Sequence, residues 1–320
     1  MFDRSDIINP KTFGQITEEW LDLLSPQLKL SSVVKYTNML NSYILPEFAG
    51  RSITEISRME MQAFVNKCLI SGGKDGSGLS PKTVTGLVSL LNNIFNYALH
   101  NGYEVTNLHG ISVRQYQKPM RILSRAEQRK LSEYLYINMN PCSLGIIVCL
   151  YTGLRIGEIC ALKWEDVLFD EQCIYVNRTM QRLQTRNNKI NKTMVVVSSP
   201  KSDCSIRYVP VPENLFNLLG KLRKSENVYL LTGRDDKFME PRTLQNRFKT
   251  ITKDCGIENI NFHVLRHTFA TRCVELGFDI KSLSEILGHS SVNITLNRYV
   301  HPSMELKQKN MNKLSELFVV

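Results

Sequence analysis

A tyrosine near the carboxyl end of the chain has neighbours that suit it to chemistry on a phosphodiester. Tyr299 lies in the segment Arg298-Tyr299-Val300-His301, downstream of Leu287-Gly288-His289 and a short polar run. A phenol, with a pKa of about 10, is deprotonated more easily than a serine hydroxyl and departs more readily in the reverse step. A phenol with arginines upstream and no cluster of carboxylates to hold metal ions indicates a phosphotyrosyl intermediate on a nucleic-acid backbone.

Two upstream arginines have partners at helical spacing. Arg155 and Glu158 lie three residues apart after Gly153, so they share a helix face and the carboxylate can brace the guanidinium. Arg266 follows His263 at the same spacing. An isolated Arg/Glu spacing of this kind is more often a plain ion pair at a helix start. Two planar guanidiniums could instead hold two non-bridging oxygens of an attacked phosphate, where negative charge builds up.

Histidines supply the remaining polar groups. His289 follows Gly288 at a predicted helix end and can donate a third hydrogen bond to the phosphate, in place of the divalent ions of two-metal nucleases. His263 is the predicted base towards Tyr299, because imidazole titrates near neutrality. His263 and His267 have the spacing of helical zinc ligands, but the Glu of a metalloprotease and an evident third ligand are missing. We therefore expect no metal and no cofactor, and His267 is predicted to orient neighbouring backbone.

The first hundred residues have the pattern of a helical domain, predicted to span 12–103. Pro26 and Pro46 are expected to end the first two helices, and Ser80 followed by Pro81 to open the fourth. A glycine- and serine-rich loop is predicted before that fourth helix. The four amphipathic runs are 17–24, 32–44, 59–69 and the run from 81 to just before Gly102.

A polar stretch, 104–119, lacks helical periodicity and is predicted to be a linker. Ser124 and Glu127 then form a capping-box pattern, which opens a second domain, 120–320, with a helix. The longest apolar stretch, 144–154, is well short of the roughly 18 residues that cross a bilayer. We expect it to be a buried helix.

Few segments predict strands. Residues 199–203 are expected to turn between the last two of them, which would place Lys201 at a flexible hairpin tip. The expected fold class is mainly α, with a helical N-terminal domain and a mostly α second domain that carries a small antiparallel β-sheet. The strand candidates, rich in β-branched and aromatic residues, are 174–176, 194–197 and 206–209.

The composition favours a polyanionic partner. The chain has 40 Lys and Arg against 30 Asp and Glu, a net charge of +10 and a pI of about 9.2. Its eight cysteines are scattered without a C-x-x-C pair, which is typical of reduced thiols and predicts neither disulfides nor zinc. The first residues have no basic or apolar signal region, so we expect a cytoplasmic protein.

These ordered blocks resemble the tyrosine recombinases of the phage integrase family. Two departures are visible: Asn107-Leu108 stands where many members have Asn-Pro, and no arm-type DNA-binding domain precedes Thr12, which argues against the use of distant arm sites. The similar segments are 152–158 for the first arginine box, 263–267 for the second, Leu287-Gly288-His289 for the third, Tyr299 for the nucleophile, 200–202 for the lysine hairpin, and Pro46 with 79–83 for the helical, SAM-like core-binding domain.

The resemblance implies site-specific recombination of double-stranded DNA. Tyr299 would form a 3′-phosphotyrosyl link and free a 5′-hydroxyl, and another strand could reseal it without ATP or metal. Lys201 would protonate the leaving 5′-oxygen. The reaction would proceed in a tetramer, with an accessory DNA-bending or directionality factor as a possible partner. The terminal amphipathic helix after Pro302 could pack on its own domain or dock on a neighbouring protomer to couple active sites.

Both domains are expected to close around the duplex and contact its phosphates. Each of these cations taken singly could equally be a solvated side chain. The predicted contacts are Lys29, Lys35 and Lys82 near helix starts, and Lys189, Lys192 and Arg207 around the hairpin.

The predicted role is integration or excision of a mobile element. A Xer-like recombinase that resolves chromosome or plasmid dimers is the main alternative, and a type IB topoisomerase is less favoured because the N-terminal domain is small and helical. A DNA-binding regulator without catalysis is disfavoured because all the catalytic positions are filled. A metal-dependent nuclease would be excluded by activity that persists in EDTA.

Overall fold

A computed structural model describes residues 11–73, 75–106, 108, 110–115, 119–184, 193–200, 203–300, 307–308 and 311–312. The chain divides into two compact units, with the boundary between residues 118 and 119. Three of the predicted functional lysines, Lys189, Lys192 and Lys201, lie outside the described residues, as does most of the predicted tail helix.

The first unit is helical in all its described regular elements. Polar residues start several of its helices: Ser57 forms a capping box with Glu60, and the Ser80 side chain accepts from the Thr83 amide while Pro81 occupies the first turn. The predicted start at Ser80 is thus confirmed. The helices are α1 (Phe13–Leu24), α2 (Leu30–Met39), α3 (Leu45–Phe48), α4 (Arg58–Ser71) and α5 (Pro81–His100).

Proline ends the first predicted helix but not the second. α1 stops at Leu24, and Pro26 follows in a 3-10 turn, as expected. The expected stop at Pro46 is wrong, because a π-helical turn over Leu40–Ile44 leads directly into α3, which carries Pro46 in its first turn. Proline has no amide to donate there, and the wider turn before it relieves the clash of its ring with the preceding carbonyl.

The core of the first unit packs α1 and α3 against α5. Phe13 lies between two other rings, with centroids 5.9 Å from Phe48 and 6.1 Å from Phe95. Phe48 also meets Phe64 of α4 edge to face at 5.2 Å. Large apolar side chains buried in this way supply most of the stabilisation of a small domain.

The second unit has its core around a central apolar helix. That helix, α7, is buried along most of its length, as the sequence predicts for 144–154. Among the described residues, no helix is both long and apolar enough to cross a membrane. The helices are α6 (Arg125–Ile137), α7 (Pro141–Thr152), α8 (Ile156–Ala161), α9 (Glu213–Leu222), α10 (Pro241–Asp254), α11 (His263–Glu275), α12 (Ile280–Leu287) and α13 (Val292–Tyr299).

The described strands form two small antiparallel sheets, where one was predicted. Strand β2 pairs with β1 and β5, whereas β4 pairs with β3 over six residues of each strand. The predicted hairpin between 194–197 and 206–209 is therefore wrong. The strands are β1 (Val167–Leu168), β2 (Cys173–Val176), β3 (Thr179–Gln184), β4 (Thr193–Ser198) and β5 (Arg207–Pro210).

The physical reason for that error is strand β3, which the sequence pattern missed. Its residues, Thr-Met-Gln-Arg-Leu-Gln, are mostly polar, and Arg182 and Gln184 are exposed, so it lacks the apolar signature of a strand. β3 nevertheless precedes β4 along the chain and forms the antiparallel backbone hydrogen bonds with it. β4 is therefore not paired with β5. β5 then returns to β2 and places Arg207 opposite Val176.

Two glycines end helices next to the candidate site. Gly153 and Gly288 cap α7 and α12 in the left-handed conformation, with φ of 65° and 64°. Only glycine adopts this conformation without steric cost. Neighbouring atoms also leave no room for a side chain at either position. A Cβ on Gly153 would approach the Phe269 ring to 2.4 Å.

Candidate active site

Four described helices of the second unit bring the predicted catalytic residues together. Arg155 starts α8, His263 and Arg266 lie on the first turns of α11, His289 follows α12, and Tyr299 ends α13. Residues separated by up to 144 positions in sequence thus surround one site.

A buried carboxylate braces two arginines. Glu158, only 2% exposed, accepts from Arg155 Nη1 at 2.8 Å and from the Arg155 amide at 2.9 Å. It also accepts from Arg207 Nη2 at 3.0 Å and Nη1 at 3.3 Å. Burial raises the pKa of Glu158, but Arg207 and Arg155 together outweigh burial and hold that pKa below its ordinary value. The carboxylate therefore stays ionised, and the predicted Arg155–Glu158 pair is present.

Arginines also cap the carboxyl end of α12. The last carbonyls of a helix have no partner within the helix, and the helix dipole makes this end negative. Three successive carbonyls here each accept from a different guanidinium. The bonds are Arg207 Nε to Ile286 O at 2.6 Å, Arg266 Nη2 to Leu287 O at 2.6 Å, and Arg155 Nη2 to Gly288 O at 3.0 Å.

Arg266 is the more deeply buried of the two predicted catalytic arginines. It is 2% exposed and also donates from Nη1 to the carbonyl of Gly153 at 2.7 Å. Burial and the nearby charge of Arg155 lower the pKa of Arg266 to about 10, so it remains a cation at neutral pH. Among Arg155, Arg207, Arg266 and Glu158, two net positive charges remain. The arrangement suits a bound anion.

Tyr299 is enclosed by aromatic neighbours. It is 4% exposed, and its hydroxyl lies 2.9 Å from Nδ1 of His267. The His289 ring lies parallel to the tyrosine ring, with centroids 6.3 Å apart. Burial raises the pKa of Tyr299, against the opposing effect of Arg266 and Arg298. The phenol is therefore protonated in the free protein at neutral pH.

The histidines of the site are neutral in the absence of an anion. Burial and the positive charge of Arg266 lower the pKa of His289 to about 3 and that of His263 to about 4. Burial and His263 lower the pKa of His267 to about 4. The His263 and His267 rings meet edge to face, with centroids 4.4 Å apart, and His289 Nδ1 lies 2.8 Å from the Thr295 hydroxyl.

The position of His267 in the site was not predicted from the sequence. His267 was expected to orient backbone, whereas its ring contacts the hydroxyl of Tyr299. His263, the predicted base, lies against His267. A signal was available, because His263 and His267 are spaced to lie on one helix face.

The predicted role of Arg207 as a surface contact to DNA is wrong. Arg207 was predicted to contact DNA phosphates from the surface, but its side chain is only 6% exposed and is paired with Glu158. Alternation along β5 turns Arg207 inward and Tyr208 outward. The predicted hairpin between 194–197 and 206–209 would have left Arg207 at the surface, whereas β5 pairs with β2 and buries it.

The three predicted lysines of the first unit are all exposed. Lys35 and Lys82 line one groove of about 570 Å³ between α2 and α5, together with Ser31, Asn38 and Thr83. Lys29 precedes α2 as its N-cap and is not among the groove's lining residues.

A cleft of about 400 Å³ adjoins the site in the second unit. One wall contains His263, Arg266 and Asn261. The other wall is a polar stripe on α10 at i, i+3, i+4 and i+7 spacing, which no sequence argument singled out: Arg242, Gln245, Asn246 and Lys249. Within the described residues there is no cluster of ligands that could hold a metal ion.

Comparisons with known proteins agree with this architecture. A model described as the phage integrase family matches residues 120–305, and a model of the phage integrase N-terminal SAM-like domain matches residues 12–69. The tyrosine recombinase XerC-like protein of Caldanaerobacter subterraneus subsp. tengcongensis is 29% identical, over 96% of this chain and 84% of that protein.

Solved structures show the same fold. The Tn1549 transposon integrase in complex with transposon right end DNA has a TM-score of 0.76 at 21% identity, covering 95% of this chain and 99% of that one. A lambda integrase tetramer bound to a Holliday junction has a TM-score of 0.66 at 17% identity, covering 92% and 78%. The chain belongs to the phage integrase family and is a tyrosine recombinase, an enzyme that cuts and rejoins DNA.

Proposed function

We propose that this recombinase acts at specific sites through a 3′-phosphotyrosyl intermediate and serves the integration and excision of a mobile element. The observation that carries the proposal is the set of guanidiniums around the end of α12, next to a tyrosine hydroxyl with a histidine 2.9 Å away. Fixed cations are effective here because they stabilise negative charge that develops on the phosphate without having to reorganise.

In the proposed cleavage step, the Tyr299 oxygen attacks the scissile phosphorus. The new P–O bond to tyrosine forms as the bond to the 5′-oxygen breaks. Arg155 and Arg266 hold the non-bridging oxygens, and His289 donates a further hydrogen bond. Because the phosphoryl group stays esterified to tyrosine, a 5′-hydroxyl can reverse the step without ATP.

Two proton transfers complete this step. The phenolic proton passes to the imidazole pair on α11, where His267 contacts the hydroxyl and His263 lies against His267. Both imidazoles are neutral in the free protein and can therefore accept a proton. Lys201 is proposed to protonate the leaving 5′-oxygen.

Each unit is proposed to bind DNA with its own cationic surface. In the first unit this surface is the groove with Lys35 and Lys82. In the second it is the α10 stripe beside the active site. Helices that present Arg, Gln and Asn side chains suit the major groove, where these groups pair with base edges.

The proposed working assembly is a tetramer on DNA, linked through the C-terminal tail and assisted by an accessory factor. The lambda integrase neighbour was solved as a tetramer on a Holliday junction, which supports this assembly. A Xer-like role in resolving chromosome or plasmid dimers is the second candidate, because a similar protein carries the name XerC-like.

Capture of covalent complexes from cells tests the proposal. Cells expressing the wild-type chain or Tyr299→Phe are lysed under denaturing conditions, and the DNA that remains on the protein is sequenced. We expect adducts at the ends of a mobile element from the wild type only. Adducts with Tyr299→Phe would exclude Tyr299 as the nucleophile, and adducts at a single chromosomal site would favour the Xer-like role.

A further inference from the structure

We propose that Arg207 is a positioning residue for DNA cleavage: it compensates the buried Glu158 carboxylate, which leaves the charge of Arg155 for the scissile phosphate, and it fixes the turn that carries His289. This inference rests on the proposed function of the same site. It assigns to Arg207 a role other than the DNA contact that the sequence suggested.

Two cations share the buried carboxylate of Glu158. Both oxygens of Glu158 accept from Arg207 and both accept from Arg155, through its Nη1 and its main-chain amide. Among the described residues, Arg155 and Arg207 are the arginines hydrogen-bonded to Glu158, so without Arg207 the carboxylate would keep that contact with Arg155 alone. A buried carboxylate with one cation draws that cation into a tight, neutral pair. Arg155 would then be less able to bind a phosphate.

The two arginines differ in their access to solvent. The Arg155 side chain is 38% exposed, whereas those of Arg207 and Glu158 are 6% and 2% exposed. Arg155 can therefore reach an incoming phosphate while Arg207 stays within the protein. Arg155 is thus placed to bind the phosphate, and Arg207 is placed to compensate the charge of Glu158.

Arg207 also contacts the carboxyl end of α12. Its Nε donates to Ile286 O at 2.6 Å, and its Nη1 donates to Ser205 O at 2.9 Å. The guanidinium lies directly against Gly288, where a Cβ would be 3.0 Å from Nη1 and 3.1 Å from Cζ. His289 is the next residue, so Arg207 ties β5 to the turn that presents it.

Single-turnover cleavage separates positioning from DNA contact. The DNA recovered in the covalent-capture experiment is made as a nicked duplex, on which adduct formation is measured at saturating protein. Arg207→Lys keeps a positive charge near Glu158 but cannot form all the contacts of the guanidinium, so we expect cleavage about tenfold slower. Arg207→Gln leaves Glu158 under-compensated, and we expect a loss of about 100-fold. Dissociation constants and their salt dependence should match the wild type for both.

A double mutant tests the charge argument. Glu158→Gln removes the carboxylate that Arg207 compensates, so Arg207→Gln combined with Glu158→Gln should cleave faster than Arg207→Gln alone. If the two residues were not coupled, the fold-losses in cleavage rate of the two single variants would multiply in the double variant. A multiplied loss would contradict the sharing of Glu158 between the two arginines.

Arg178 is the matched control. It forms a similar partly buried pair, 2.8 Å from both Glu165 and the buried Asp166, but has no described bond to the site. Arg178→Lys should lower the unfolding temperature without changing the cleavage rate of folded protein. All rates are compared at a temperature where circular dichroism shows the variants folded.

The outcomes are distinct. Weaker DNA binding with a shallower salt dependence and a normal saturated rate would make Arg207 a DNA contact and overturn the proposal. A wild-type rate in folded Arg207→Gln would overturn it as well, and so would failure of both Arg207 variants to fold. Absence of adducts with the wild-type protein would instead count against the proposed function.

Discussion

The hydroxyl of Tyr299 lies 2.9 Å from Nδ1 of His267, and the His267 ring meets that of His263 edge to face. The candidate nucleophile is thus already in contact with a neutral imidazole in the absence of DNA. Burial of the phenol raises its pKa, so a proton acceptor at this distance addresses the main obstacle to attack. The same contact with His267 holds the Tyr299 side chain in one position in the free protein.

Arg155→Lys should lose most of the cleavage activity. An ammonium cannot reproduce the planar fork that donates to Glu158 and to Gly288 O and still present a donor to the phosphate. We expect single-turnover adduct formation to fall by about 100- to 1,000-fold. The exposed pair Arg182–Glu240 offers a control, and Arg182→Lys should cleave at the normal rate. Normal cleavage by Arg155→Lys would remove Arg155 from the proposed step.

The site histidines should make folding stability decrease below neutral pH. Their folded pKa values are about 4 for His263 and His267 and about 3 for His289, below the ordinary value of about 6.5. Between these values the unfolded chain binds more protons than the folded one, so the free energy of unfolding falls as pH drops below about 6.5. His263 is exposed, whereas His267 and His289 are half-buried, so we expect His263 to contribute least.

Urea denaturation at pH 6.5 and 5 measures this effect. His289→Gln removes one of the three groups and should make the pH dependence shallower. An identical slope in His289→Gln and the wild type would show that His289 titrates alike in both states.

The α10 stripe should contribute to sequence recognition. Gln245→Ala or Asn246→Ala should relax the preference at a single base pair, by about 1–3 kcal/mol, because their amides suit the edge of adenine. Lys249→Gln should weaken binding to all sequences and lower the salt dependence by about one unit. Thr243→Ala, exposed on the same helix but absent from the cleft lining, is the control. Unchanged base preferences in both amide variants would place base recognition elsewhere.

The groove of the first unit should supply electrostatic affinity. Replacement of both Lys35 and Lys82 with Gln should make the salt dependence of DNA binding shallower by about two units, since each phosphate contact contributes about 0.9. Lys67→Gln is the comparison, because Lys67 is exposed in the same unit but is paired with Glu47. Equal salt dependence in the double variant and the wild type would rule this groove out as a phosphate-binding surface.

The sequence by itself determined the helices and the partners at short range. The apolar period predicts α5 and α7, Ser80 and Ser124 cap where the pattern indicates, and Arg155 meets Glu158 because three residues span a helical turn. Such features depend on neighbours within about four positions, which a single sequence displays directly.

Only the tertiary structure decided the contacts between distant segments. Pairing of β4 with β3 cannot be read from the polar residues of β3, and burial of Arg207 follows from the return of β5 to β2. The contact of Tyr299 with His267 likewise requires α11 and α13 to pack together. Strand register and helix packing are set by the burial of many side chains at once, so the partner of one polar group depends on the whole fold.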